Sequence, residues 1–173
     1  LLALKHTQAQ TDNDRPVLVE KKRLIDNLFF GGNMGLQFGT ITYINLSPVV
    51  GYRVSDRVNA GVGLTYIYLS QNFPGGFKDN MIGGKVFGQY FVWNGVFAHT
   101  EYEIVNFSSA LLPITTSGPA PRSNSNNFYI GPGYQQAFGR RAFSQIMLLY
   151  NVIYDRYNSP YNNPFAIRIM FGF

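Results

Sequence analysis

The chain has no cysteine. That excludes disulfides, a cysteine nucleophile, thiolate metal sites and a lipoprotein anchor through an N-terminal cysteine. Charge is scarce too: Asp, Glu, Lys and Arg make up 13% of the residues, against about 25% in an ordinary soluble domain. No window approaches the roughly 18 uninterrupted apolar residues of a transmembrane helix. No phosphate loop, dinucleotide fingerprint or metal-ligand spacing occurs, so no cofactor is expected. The net charge of +5 is not gathered into a basic cluster interleaved with aromatics, which argues against nucleic-acid binding.

What is present is apolar and aromatic. Apolar residues make up 46% of the chain, aromatics 16%, and there are 18 glycines. Such a chain is neither a helical membrane protein nor a charge-coated soluble domain, and its length fits one domain. Residues 1–9 read as the remnant of a signal peptide. Leu1 to Leu4 form the end of an apolar core, and Thr7-Gln8-Ala9 resembles a small-x-small cleavage site. Residues 10–27 read as a periplasmic lead-in, in which Val17, Lys21, Leu24 and Leu28 recur at helical spacing. A short amphipathic helix, a lead-in strand and a disordered tail all stay open there. Lys21, Lys22 and Arg23 are placed to meet anionic headgroups.

From Leu28 to the end, residues 28–173, the dominant period is two. Strict alternation of this kind marks strands rather than helices. In LFFGGNMGLQF, Leu28, Phe30, Met34, Leu36 and Phe38 share one face and Phe29, Gly31, Asn33, Gly35 and Gln37 the other. VNAGVGLTYIYL sets Val58, Ala60, Val62, Leu64, Tyr66 and Tyr68 against Asn59, Gly61, Gly63 and Thr65. Eight such segments follow one another, most of ten residues or more. Soluble strands average about five or six residues, whereas membrane-spanning strands need about 9–11. The least regular is AFSQIMLLYNVIY, read as a strand through Tyr154, with Met147 and Leu149 on its polar face.

The connections alternate in length. Ser55–Arg57, Trp93–Gly95 with its Asn-Gly hairpin signal, and Gly139–Arg141 are short, whereas Gln71–Asn80, Ser108–Ser125 and Asp155–Pro164 are long and polar. Outer-membrane barrels have short periplasmic turns and longer outside loops. The polar face is made of Gly, Asn, Gln and Ser, with few charges. A water-facing sheet of eight strands should instead carry many Lys and Glu. An inverted barrel, apolar outside and small and polar inside, accounts for both faces, and closure pairs every backbone group in lipid. Tyr52, Tyr66, Tyr68, Trp93, Tyr102, Tyr150 and Tyr154 fit aromatic girdles at the two membrane interfaces. The expected fold is therefore an all-β, eight-stranded antiparallel up-and-down transmembrane β-barrel.

The run LFFGGNMGLQFGTITYINLSPVVGYRVSDRVNAGVGLTY resembles the small outer-membrane β-barrel proteins common in Bacteroidetes-type bacteria, relatives in style of the outer-membrane protein A barrel. The resemblance lies in the glycine-rich first strand, the SP-x-x-GY second strand, the short polar turn, the GVGL-x-Y third strand and the aromatic C-terminus. It implies the cell outer membrane of a Gram-negative envelope. It implies no activity, because this scaffold serves many roles.

By parity, Arg53, Lys85, His99, Glu101, Glu103 and Arg168 face inward. Charges in a narrow lumen must pair, so Glu101 and Glu103 are expected to meet Lys85 and Arg168 in a network that plugs the barrel. Phe165, Ile167, Ile169, Phe171 and Phe173 form the outward stripe of the last strand and resemble the signal read by the barrel-assembly machinery. The function expected is non-enzymatic: a structural or surface-interaction barrel whose partners are outer-membrane lipid, the assembly machinery and an envelope protein met through the exposed loops. Leu111–Asn127, with its mobile-looking SGPAPRSNSNN run, is the expected contact surface. Three alternatives stay open: a narrow pore for ions or small solutes, a lipid-modifying enzyme built on His99, and a subunit of a larger envelope complex.

Overall fold

The computed structural model describes residues 24–37, 41–71, 78–108, 121–139, 141–161 and 163–173. After a 3-10 turn at Leu24–Asn27, the strands are β1 (Leu28–Gln37), β2 (Ile41–Arg53), β3 (Val58–Gln71), β4 (Lys78–Trp93), β5 (Val96–Ser108), β6 (Arg122–Phe138), β7 (Ala142–Asn151) and β8 (Phe165–Gly172). They form one closed antiparallel barrel in sequence order. The signal-peptide remnant, most of the lead-in and the loop near Gly39 lie outside the described residues.

The short turns have a local cause. Asn94 and Gly95 both take left-handed backbone angles, with φ of 46° and 87°, which a two-residue hairpin turn requires. At the first turn the Ser55 hydroxyl accepts from the amide of Val58 at 3.1 Å. Several boundaries differ from those expected. β4 begins at Lys78, and β6 begins at Arg122, so Arg122–Asn127 of the expected contact loop is strand, paired with Glu103–Ser108. Residues 111–120 of that loop lie outside the described residues. β7 stops at Asn151 rather than Tyr154. There the Asn151 side chain takes the amides of Phe128 and Ile153 at 3.1 and 3.2 Å, which turns the chain out of the sheet.

The barrel is inverted relative to a soluble one. Leu64, Ile82, Val86, Ile104, Ile146 and Leu148 are exposed on the outside, while Lys85, His99, Glu101 and Glu103 are buried within. The lumen is nonetheless not uniformly small and polar. Phe29, Phe87, Phe97, Phe143, Met147, Leu149 and Met170 are buried in it too. Met147 and Leu149, which blurred the pattern of β7, point inward as parity requires and pack in this cluster.

Glycines make the room. Phe29 lies opposite Gly51, Phe87 opposite Gly61, Phe97 opposite Gly133 and Phe143 opposite Gly172. In each pair a Cβ on the glycine would collide with the ring of its partner phenylalanine. Each of the four hairpins β1–β2, β3–β4, β5–β6 and β7–β8 holds one such pair. The rings cover bare backbone that would otherwise line a void. Gly51→Ala should therefore destabilise the barrel by about 1–3 kcal/mol through overpacking. A urea-unfolding midpoint reads the loss, and Phe29→Leu in the same chain should restore part of it.

Candidate functional site

The interior charge cluster sits above the phenylalanine layer, toward the long-loop half. Lys85 comes from β4, His99, Glu101 and Glu103 from β5, and Arg168 from β8. Alternation puts all five on the inner face. Arg168 Nη1 lies 2.5 Å from Glu101 Oε1, and its Nη2 lies 3.7 Å from Glu103 Oε2. Lys85 Nζ is 3.5 Å from Glu101 Oε2, and His99 Nε2 is 3.5 Å from the same oxygen. The Arg168 guanidinium also stands 4.9 Å over the Tyr129 ring. Two cations thus face two carboxylates, and the cluster closes electrically.

Arg53 does not join this cluster. Its strand parity is inward, but it ends β2 at the short-turn mouth and is exposed there beside Asp56, Asn59 and Gln135. Parity sets the face of a strand and says nothing of depth along it. Sequence spacing therefore could not separate Arg53 from residues in the middle of the barrel.

A second group was missed in the sequence. Asn59, Gln89, Gln135 and Gln145 form a chain of amides below the charges. Gln89 and Gln145 exchange hydrogen bonds of 2.9 and 3.3 Å, Gln145 donates to Gln135 at 2.8 Å, and Asn59 donates to Gln89 at 3.4 Å. Their inward parity was legible, but their mutual reach was not, since they come from four different strands.

The long, polar connection after β7 bends into the mouth. The Tyr161 hydroxyl donates to Glu103 Oε2 at 3.1 Å, and Thr65 donates to Glu103 Oε1 at 2.8 Å. Burial, followed by the Glu103 carboxylate, raises the Tyr161 phenol well above its ordinary range. It therefore stays protonated and keeps donating. Tyr161 packs against Ile67, Met81, Val105 and Phe107, which form a second apolar layer at that end.

The outer rim of β4, β5 and β6 is tied by Arg122. It pairs with Asp79 at 3.8 Å and donates to the Asn80 and Asn106 backbone oxygens at 2.9 and 3.1 Å and to the Asn106 side chain. Asp79 in turn accepts from the Ser108 amide at 3.1 Å. Arg122 thus ties together the ends of these three strands.

The interior side chains are engaged with one another. His99 lies between the Phe87 and Phe97 rings, at centroid distances of 5.8 and 6.5 Å, and its Nδ1 faces the Gln89 amide at 3.4 Å. The imidazole is thus enclosed by rings, an amide and a paired carboxylate. Among the described residues no group of three or more His, Asp or Glu is arranged to hold a metal. The sum of contacts implies a stability role. Arg168→Met should destabilise the barrel by about 3–5 kcal/mol, because Glu101 and Glu103 are left buried with one cation between them. Adding Glu101→Gln to that chain should recover a large part, read as urea midpoints of the two variants.

No protein-family model and no curated protein matches the chain. Among solved structures, the N-terminal β-barrel domain of Pseudomonas aeruginosa OprF is similar. It shares 14% identity at a TM-score of 0.45, over 84% of this chain and 96% of that one. At that identity the likeness concerns fold alone.

Proposed function

We propose that this chain is an outer-membrane β-barrel with a plugged lumen and no enzymatic activity, acting as a structural or surface-interaction scaffold. The observation that carries the reading is the inversion of the barrel. Leu64 is 64% exposed on the outside, whereas Glu103 is 1% exposed within. In water that arrangement spends apolar area on solvent and buries charge for no gain. In a bilayer the outer band meets acyl chains, and closure leaves few backbone groups unpaired. Trp93, Tyr90 and Tyr134 toward the short turns, with Tyr66 and Tyr150 toward the other end, are all exposed and suit the two interfaces.

On this reading the short turns are periplasmic and the long connections face outward. The strand ends tied by Arg122 then present the connection between β5 and β6 to partners in the envelope. Phe173 and the outward stripe of β8 are the segment that the assembly machinery would read. A narrow pore is the second reading, and the lumen argues against it. Cavities of about 470 Å³ at the short-turn mouth and about 330 Å³ in the long-loop half are separated by the charge cluster, where only about 20 Å³ is free.

The protein should fractionate with detergent-solubilised outer membrane and shift on a gel between unheated and boiled samples. Recovery in the soluble periplasm would sink the membrane reading. In planar bilayers it should show no resolved single-channel steps. Steps that change on Lys85→Ala or Glu101→Gln would establish the pore instead.

A further inference from the structure

The barrel closes over a short seam. β1 and β8 pair at Gly31–Gly172 and Gly32–Phe171. Phe30 and Phe173 add two backbone hydrogen bonds of 3.0 and 2.8 Å. Beyond Gly32 both strands continue, β1 to Gln37 and β8 back to Phe165, yet no further pair joins them among the described residues. Their other edges are filled, by β2 as far as Gln37 and by β7 as far as Phe165. Two open edges therefore face each other in the long-loop half of the wall.

The gap leads into the cavity of about 330 Å³, near the lower end of small-molecule pockets at about 300–1,000 Å³. Ala166 and Arg168 line it from the inner face of β8, and Phe165 and Ile167 line it from the outer face. Residues on opposite faces of one strand share a cavity only where the wall ends at that strand's edge. Inside, Asn33, Asn45, Ser47, Thr65 and Asn163 supply amides and hydroxyls. Arg168 is engaged by Glu101 and Glu103, so the cavity offers hydrogen bonds rather than net charge. At the lip, Phe165, Ile167 and Met34 are 62, 72 and 69% exposed.

We propose that the β1–β8 seam is a lateral portal that seats an amphiphile with an uncharged, hydroxylated head. The head occupies the lumen cavity, hydrogen-bonded to its amides and hydroxyls, and the apolar chain lies outside along Met34, Phe165 and Ile167. The inference rests on the membrane reading above, since only there does the lip meet acyl chains. An added strand would pair the edges but leave the polar cavity behind them empty, so the head group fits the lining better.

The absence of cysteine makes the test clean. Continuing the observed register would put Met34 opposite Ile169, so Met34→Cys with Ile169→Cys closes the gap when oxidised. The barrel is extracted from the outer membrane, and its folded state is checked by the heat-modifiable shift. Native mass spectrometry then counts octyl glucoside bound below its micellar concentration. One saturable glucoside per barrel is expected, with about tenfold lower occupancy in the oxidised variant and full recovery on reduction. Asn45→Leu, which leaves the seam alone, should lower occupancy severalfold. Equal occupancy in oxidised and reduced protein, tighter binding of octyl sulfate than of the glucoside, or a polypeptide adduct in the seam would each overturn the portal. These outcomes concern a membrane-extracted barrel, so they are distinct from recovery in the soluble periplasm, which overturns the membrane reading itself.

Discussion

Glu101 is the residue on which the interior turns. Its two carboxylate oxygens meet Arg168, Lys85 and His99, which arrive from β8, β4 and β5. Moving one such charge from water costs several kcal/mol, even after relaxation. A lumen that buries four formal charges therefore holds only if they cancel in place. They do so pairwise, and the surplus oxygens of Glu103 are taken by Thr65 and Tyr161. The cluster also ties β8, the last strand, to the middle of the barrel, where its seam with β1 is too short to hold it alone. Interior charge and barrel closure are one problem with a shared solution.

The four phenylalanine–glycine pairs solve a different problem. Eight strands enclose a space that side chains can fill but that leaves little spare volume. A ring on every inward position would overfill it, and a glycine on every position would leave it hollow. Setting each ring across from a glycine on the neighbouring strand fills the lumen without widening it. The amide chain from Asn59 to Gln145 starts at the short-turn mouth and runs among these rings, and Phe87 lies opposite Glu101. The ion pairs lie toward the long loops, where a second apolar layer packs around Tyr161.

Parity carried most of what could be read in the sequence. The closed eight-stranded barrel, the inward placement of Lys85, His99, Glu101, Glu103 and Arg168, and the outward stripe of β8 all follow from a period of two. Depth along the strand did not follow, which is why Arg53 was grouped with residues it does not meet. The aromatic half of the lumen was also missed. Phe29, Phe87, Phe97 and Phe143 sit on the polar face, and each is legible only beside the glycine it covers, one strand away. Tyr161 was out of reach for another reason. It lies in an Asn- and Pro-rich connection with no period, and only the fold brings its hydroxyl to Glu103.

The length of the β1–β8 seam has a local explanation. A Cβ on Gly31 would stand 2.8 Å from the Phe171 carbonyl oxygen, and one on Gly32 would stand 2.7 Å from that of Ser47. The two glycines let three strands approach more closely than side chains would permit. From Asn33 onward β1 stays paired with β2 but no longer with β8. Continuing the register would bring Met170 opposite Asn33, and Met170 and Arg168 are the next inward residues of β8. Arg168 is held by Glu101 and Glu103, so β8 enters the charge cluster through the same stretch that borders the gap. One strand thus carries both part of the lumen's charge balance and the unpaired edge of its wall.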